Sequence, residues 1–118
     1  MTDSLWFSAR LLFEAKHPDE EGLDKVFEDR IVLLAADDEA DAESKANSVG
    51  AKSRLEYRNE YGNRVIWEFI EVLDLVTLDT DDIGHGSELY SQFLDEQDLT
   101  AVRRSLEPGK LGNDRETP

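Results

Sequence analysis

The sequence predicts one α+β domain: a largely antiparallel sheet in the order β-β-α-β-β, covered by one helix, with short helical elements at the C-terminus. Three observations support this prediction. The 118 residues fit a single domain, four segments carry strand-like apolar patterns, and a stripe of small residues at helical spacing separates the second segment from the third. We assign residues 1–98 to this domain and residues 99–118 to a short amphipathic segment and a disordered tail.

Two strands come first. Residues 5–15 alternate with a period of two, which places Trp6 and Arg10 on the same outward face of the first strand. After a turn rich in proline, acids and glycine, the second strand spans residues 26–36. Residues 31–36 are apolar on both faces, which is typical of an interior strand.

A helix is predicted after Asp37 or Asp38, because either side chain can accept hydrogen bonds from the free N–H groups of a first turn. Asp41 and Lys45 have the i,i+4 spacing of a stabilising ion pair, and Gly50 is predicted to end the helix. Three small residues at helical spacing allow the helix to lie close to a sheet: Ala42, Ala46 and Val49.

The next two strands are predicted to form a hairpin. The third spans residues 54–61 and is the weakest, and Gly62-Asn63 is predicted to be the tight turn. The fourth spans residues 64–78, which is longer than a usual strand. We therefore expect a bulge or bend near Glu71 or Asp74.

Beyond the sheet the patterns are shorter. Ser87 can cap a short helix, and a short strand is the alternative for residues 86–96. Residues 98–106 are predicted to form one or two amphipathic turns, and residues 107–118 a disordered tail.

Composition and charge argue against several classes of function. The net charge is −15, and residues 1–98 carry 25 acidic and 9 basic residues, so the acidity belongs to the domain. Phosphate backbones and anionic lipids repel such a surface, so we expect no direct nucleic-acid or membrane binding. Without cysteine there are no disulfides and no thiolate metal sites. No signal-peptide pattern and no apolar run of about 20 residues occur. We expect a cytoplasmic protein without a cofactor.

The densest group of possible metal ligands lies between residues 79 and 88. Carboxylate and imidazole groups at this spacing can bind a divalent ion. The calcium-loop pattern fails, however, because Ile83 and Tyr90 occupy positions that require oxygen ligands. We favour a solvated acidic turn, and keep a small metal-assisted enzyme as the alternative. Its ligands would be Asp79, Asp81, Asp82 and His85.

No residue is assigned a catalytic role. A histidine acid or base needs a positioned partner, and His17 and His85 both fall in predicted loops. On the fourth strand, Glu68 and Asp74 share a face, whereas Glu71 falls on the other face unless a bulge intervenes. We interpret these acids as exposed strand positions with cross-strand arginine partners rather than as an acid–base pair.

Four segments carry a resemblance to a known family. They are residues 6–14 (WFSARLLFE), 27–33 (FEDRIVL), 63–75 (NRVIWEFIEVLDL) and 86–91 (GSELYS). Together they resemble the small bacterial family known as domain of unknown function 4288, over about residues 5–95. The resemblance implies no established substrate, cofactor or catalytic residue.

The strands carry apolar residues on both faces, and one helix covers only one face. Either the C-terminal segments or a second subunit must cover the other face, and we favour a homodimer. The leading hypothesis for function is a non-enzymatic protein-interaction module with contact residues Trp6, Arg10, Glu88 and Tyr90. A narrower version is an immunity-type inhibitor whose acids bind a basic toxin.

Overall fold

A computed structural model describes residues 5–79 and 82–105. These residues form β1 (Leu5–Lys16), β2 (Val26–Ala36), α1 (Glu39–Lys52), β3 (Leu55–Arg58), β4 (Arg64–Thr77) and α2 (Glu96–Ser105). All strand pairs are antiparallel, and the sheet order is β2-β1-β4-β3. The predicted α+β class with an antiparallel sheet is confirmed. The predicted order of elements is matched only roughly, because β3 has four residues.

The helix α1 begins where the acids predict. The Asp38 carboxylate accepts a hydrogen bond from the Asp41 N–H at 2.8 Å, and the Asp41 carboxylate accepts one from the Asp37 N–H at 3.0 Å. This reciprocal arrangement satisfies free N–H groups at the helix start. The expected pair between Asp41 and Lys45 is present, with a Nζ to Oδ2 distance of 3.1 Å.

The prediction that Gly50 ends the helix is wrong. The helix α1 continues to Lys52, and the Ser53 N–H closes it by donating to the Gly50 carbonyl at 3.1 Å. Gly50 is buried because the Phe69 ring lies against it, and an added Cβ would be 2.5 Å from a ring carbon. Glycine is needed here for the close approach of helix and sheet.

The core lies between α1 and one face of the sheet, which we call the covered face. Small side chains at Ala42 and Ala46 let α1 approach the sheet closely, and both are fully buried. The Phe13 and Phe69 rings are tilted at a centroid distance of 5.7 Å, and the Arg30 guanidinium lies 4.1 Å from the Phe13 centroid. Four β1 side chains on this face have at most 1% of their surface exposed: Phe7, Ala9, Leu11 and Phe13.

The long strand β4 pairs with β1 through two register shifts. Ile70 and Leu73 have no partner in β1, as expected when a bulge adds one residue to a strand. The expected irregularity near Glu71 or Asp74 is confirmed, and it consists of two shifts on either side of Glu71. After each shift, odd-numbered and even-numbered side chains of β4 exchange faces of the sheet.

The prediction of an interior strand for residues 31–36 is wrong, because β1 takes the interior position between β2 and β4. Within the described ranges, no strand pairs with the outer side of β2. Leu34 and Ala36 are buried under α1. The opposite face of β2 exposes three large apolar side chains, with exposures of 51%, 51% and 41%: Phe27, Ile31 and Leu33.

The β3–β4 connection is longer than the predicted two-residue turn. It spans residues 59–63, and the Asn59 carboxamide oxygen accepts from the N–H groups of Tyr61 and Asn63 at 3.0 and 3.1 Å. Gly62 takes a φ of 81°, which a side chain would disfavour.

Residues 87–94 form neither of the two predicted elements, helix or strand. The Ser87 hydroxyl accepts instead from the Gly84 N–H at 2.9 Å. The predicted amphipathic turns are confirmed as α2, where the Asp95 carboxylate accepts from the Asp98 N–H at 2.8 Å. Every described side chain of α2 is exposed. The predicted disordered tail lies outside the described residues. None of the helices in the described ranges is long and apolar enough to cross a membrane.

Candidate functional site

The candidate site lies on the sheet face that α1 does not cover, which we call the open face. Directly opposed residues of antiparallel strands point to the same face, so the register assigns each side chain to a face. Tyr90, in the segment of residues 87–94, contacts Asp74 of β4 near the middle of the open face. The β1 side chains on the open face are Trp6, Ser8, Arg10, Leu12, Glu14 and Lys16.

Arg10 is the centre of a polar group on the open face. Its Nε donates to the Asp29 carboxylate of β2 at 2.6 Å. On the other side of Arg10, Asp74 of β4 accepts from the Tyr90 hydroxyl at 2.8 Å. The bond to Asp29 raises the pKa of Arg10 further above its usual range. Burial is the main cause that raises the pKa of the Tyr90 phenol, and the bond to Asp74 raises it further, so this group stays neutral.

The four predicted contact residues have different positions. Arg10 and Tyr90 come together in the polar group. Trp6 is half-buried near one end of the same face, and its carbonyl accepts from the Leu78 N–H at 2.8 Å. Glu88 is exposed, two residues before Tyr90, and is not part of the polar group. Sequence reasoning missed Asp29, although its alternation within β2 could have placed it on the open face.

A line of carboxylates runs along the open face beside this polar group. The register shifts place Glu71 opposite Leu12, on the same face as Glu68 and Asp74, so the bulge does bring the three acids together. Glu14 joins them, because it lies directly opposite Glu68. We call Glu14, Glu68, Glu71 and Asp74 the acidic row.

The acidic row contains an unfavourable contact. Like charges directly opposite each other destabilise a sheet, and Glu14 faces Glu68 while only 9% of its surface is exposed. Lys16 offsets part of this repulsion, with its Nζ 3.0 Å from the Glu14 carboxylate. A cross-strand arginine was expected for these acids. Arg10 does lie opposite Asp74, but its Nε donates to Asp29.

The acidic turn around residues 79–88 does not form a ligand cluster in the described part of the chain. Asp79, Asp82 and His85 are exposed, and Asp81 lies outside the described residues. Among the residues that the structure describes, no group of three or more carboxylate or imidazole side chains is placed to hold a metal ion. The metal site remains a prediction.

A cavity of about 450 Å³ lies at one end of the sheet, where the β1–β2 connection meets residues 59–63. Asp19 joins the two connections by accepting from the Arg64 N–H at 2.8 Å, and its bonds to Arg64 lower the pKa of its carboxyl. His17 lines this cavity, but its Nδ1 is buried without a hydrogen-bond partner in the described structure. A histidine acid or base needs such a partner, and Nδ1 of His17 has none among the described residues.

These features define a small α+β domain whose antiparallel sheet has one face closed by a helix and one face carrying charge. The chain belongs to the family described as Domain of unknown function (DUF4288), which matches residues 6–91. The match covers the four strands, α1 and Tyr90, and it ends before α2. Comparison with curated proteins and with solved structures gives no match.

Proposed function

We propose that this chain is a cytoplasmic, non-enzymatic protein-interaction module that binds a basic protein through the acidic row. The observation that carries the proposal is the placement of four carboxylates on one sheet face, two of them directly opposed. The net charge of −15 adds long-range attraction for a basic partner.

The opposed acids are a local conflict in an otherwise consistent fold. On the covered face Phe7, Leu11 and Phe13 of β1 are buried among apolar neighbours, whereas on the open face Glu14 faces Glu68. Native sequences keep such conflicts mainly at functional sites. Lysine or arginine side chains of a partner would offset this repulsion, because they supply positive charges beyond those that the free domain places beside these carboxylates.

The surroundings of the acidic row suit a protein partner. Glu71 is exposed and Glu68 is half-buried, so both are accessible. Leu12 lies beside Glu71 and supplies apolar surface, and Tyr90 lies at the Asp74 end of the row. Apolar and aromatic side chains next to charges are typical of protein interfaces.

The test compares three immobilised versions of the chain: the wild type, Glu68→Lys/Glu71→Lys, and the control Glu21→Lys/Glu43→Lys. Both variants change the net charge equally, but the exposed residues Glu21 and Glu43 lie in the β1–β2 connection and on α1. Each version is exposed to host extract at low salt, and bound proteins are identified, purified and titrated against the soluble chain.

We expect a basic protein that binds the wild type and the control with similar affinity. The row variant should bind it at least about tenfold more weakly, because a close charge pair contributes on the order of 1.4 kcal/mol or more. Attraction to the row should also weaken with added salt. Equal loss in both variants would mean that net charge alone attracts the partner. Retention of no basic protein would contradict the proposal.

The narrower version is an immunity-type inhibitor of a basic toxin, such as a nuclease. It shares the acidic row and adds one requirement, which is that binding blocks the active site of the partner. If the purified partner is an enzyme, stoichiometric addition of the wild-type chain should abolish its activity and the row variant should not. A partner that stays fully active in the complex would rule out this version and leave the general proposal intact.

A further inference from the structure

We propose that the outer edge of β2 pairs with β2 of a second copy of this chain, which gives a two-fold symmetric dimer with one sheet running through both copies. The starting observation is a mismatch between composition and position. Residues 31–36 are apolar on both faces, as in an interior strand, yet β2 lies at the edge of the described sheet. Pairing with a second copy makes β2 an interior strand.

The backbone groups of β2 are placed for such pairing. The Trp6 carbonyl accepts from the Leu78 N–H, so the backbone groups of Trp6 point toward β4. Those of the next residue, Phe7, point to the opposite side, toward Leu34 of β2. Alternate residues of β2 therefore direct their N–H and C=O groups to the outer edge. The Ala35 carbonyl follows this pattern, since it accepts from the Lys45 ammonium at 2.8 Å.

The pairing of β1 with β2 has no register shift, so the same alternation runs along the whole strand. Lys45 occupies the edge at Ala35 and limits the free stretch to the residues before it. The residues that direct backbone groups outward are also those whose side chains lie on the open face: Phe27, Asp29, Ile31 and Leu33. Backbone pairing in this stretch would bring three exposed apolar side chains of each copy together.

Charge does not oppose a second copy at this edge. The chain carries −15, so two copies repel each other over most of their surfaces. Along β2, however, the two acids are each neutralised: Glu28 by the Arg30 guanidinium and Asp29 by Arg10, both at 2.6 Å. The edge is locally neutral and apolar, which suits a second identical edge better than the basic partner of the acidic row.

Symmetry gives a further reason. A two-fold axis perpendicular to the sheet pairs a strand antiparallel with itself and keeps α1 of both copies on the same side. β2 is 11 residues long and contains no proline or glycine. Natural proteins normally protect a strand of this kind at an exposed edge.

The first experiment measures the mass of the soluble chain by sedimentation or light scattering. We expect the wild type to have twice the 13.4 kDa of one chain. Ile31→Lys should raise the dimer dissociation constant more than about tenfold, because each copy places a charge where an apolar side chain was buried. The control is Leu55→Lys on β3, since Leu55 and Ile31 are both 51% exposed on edge strands. It should leave the dimer unchanged.

A second measurement does not depend on the stability of the Ile31 variant. The chain contains no cysteine, so single cysteines can be introduced at Asp29, Ile31 and Leu33 and oxidised. At least one of them, oxidised alone or in an equal mixture with another, should give a cross-linked dimer quickly, because facing residues of the paired strands lie close enough for a disulfide. A cysteine at Glu56 on β3 should not.

The proposal is overturned if the wild type is a monomer at all accessible concentrations, or if Ile31→Lys leaves the dimer as stable as Leu55→Lys does. It is also overturned if no cysteine on β2 cross-links more readily than the cysteine at Glu56. The Glu68→Lys/Glu71→Lys variant should remain dimeric, so a failure of the basic-partner proposal leaves this one intact, and the reverse also holds.

Discussion

The covered face and the open face are built from alternate residues of the same strands, yet they differ in how completely their groups are satisfied. On the covered face, Phe7, Leu11 and Phe13 are buried against α1, and Gly50 allows the closest approach. On the open face, the Ser8 hydroxyl is buried without a partner in the described structure, and Glu14 faces Glu68. The covered face therefore stabilises the fold, whereas the open face keeps polar groups that the fold itself leaves unsatisfied.

The largest effect should come from the covered face. Phe13→Ala removes a fully buried ring that contacts Phe69, and it should lower the free energy of unfolding by about 3–5 kcal/mol. The control is Phe93→Ala, because Phe93 is fully exposed and its loss should change stability by less than about 0.5 kcal/mol. Urea unfolding at a fixed protein concentration measures both. Similar losses in the two variants would mean that the covered face is not the core.

A smaller effect should come from the contact that holds residues 87–94 against the open face. Tyr90→Phe removes the hydroxyl that donates to Asp74 and should lower the free energy of unfolding by about 1 kcal/mol. It should also speed proteolysis between residues 82 and 94. Unchanged proteolysis would show that this bond does not hold the segment.

The same contact has a pH dependence. Because the folded-state pKa of Tyr90 is raised, its contribution to stability is complete below the ordinary tyrosine pKa of about 10. The contribution is lost as the pH rises through the raised value. Tyr90→Phe should therefore differ most from the wild type at neutral pH and approach it in strong alkali, as measured by urea unfolding at each pH.

The smallest effect should have the opposite sign. Glu68→Gln removes the repulsion with Glu14 and should raise the free energy of unfolding by about 0.2–1 kcal/mol. The control is Glu21→Gln, an exposed acid in the β1–β2 connection, which should have little effect. The gain should shrink in 1 M salt, where the screening length is about 3 Å. A loss of stability on Glu68→Gln would mean that the acidic row is not under strain.

Local features of this fold could be predicted from the sequence because their causes are local. The alternation in β1, the acids at the start of α1 and the Asp41–Lys45 spacing each depend on residues within one element. The excessive length of β4 also indicated a bulge. Arg10 and Tyr90 were both selected as contact residues, although their proximity was not predicted.

The errors have non-local causes. Whether β2 lies inside the sheet or at its edge depends on strand order, which an apolar pattern does not determine. The face of Glu71 depends on where β1 and β4 lose register, and the role of Gly50 depends on Phe69, 19 positions further along the chain. The acidic row could be identified only after the register between β1 and β4 was known.

The two edges of the sheet are unequal, and this inequality limits how large an assembly can grow. β2 is 11 residues long and leaves the stretch before Ala35 free for pairing, whereas β3 has four residues, with Arg54, Glu56 and Arg58 at or beside them. A sheet with two open edges can add copies at both ends and form filaments. A sheet that pairs at only one edge stops growing once that edge meets itself, so its assembly closes at two copies.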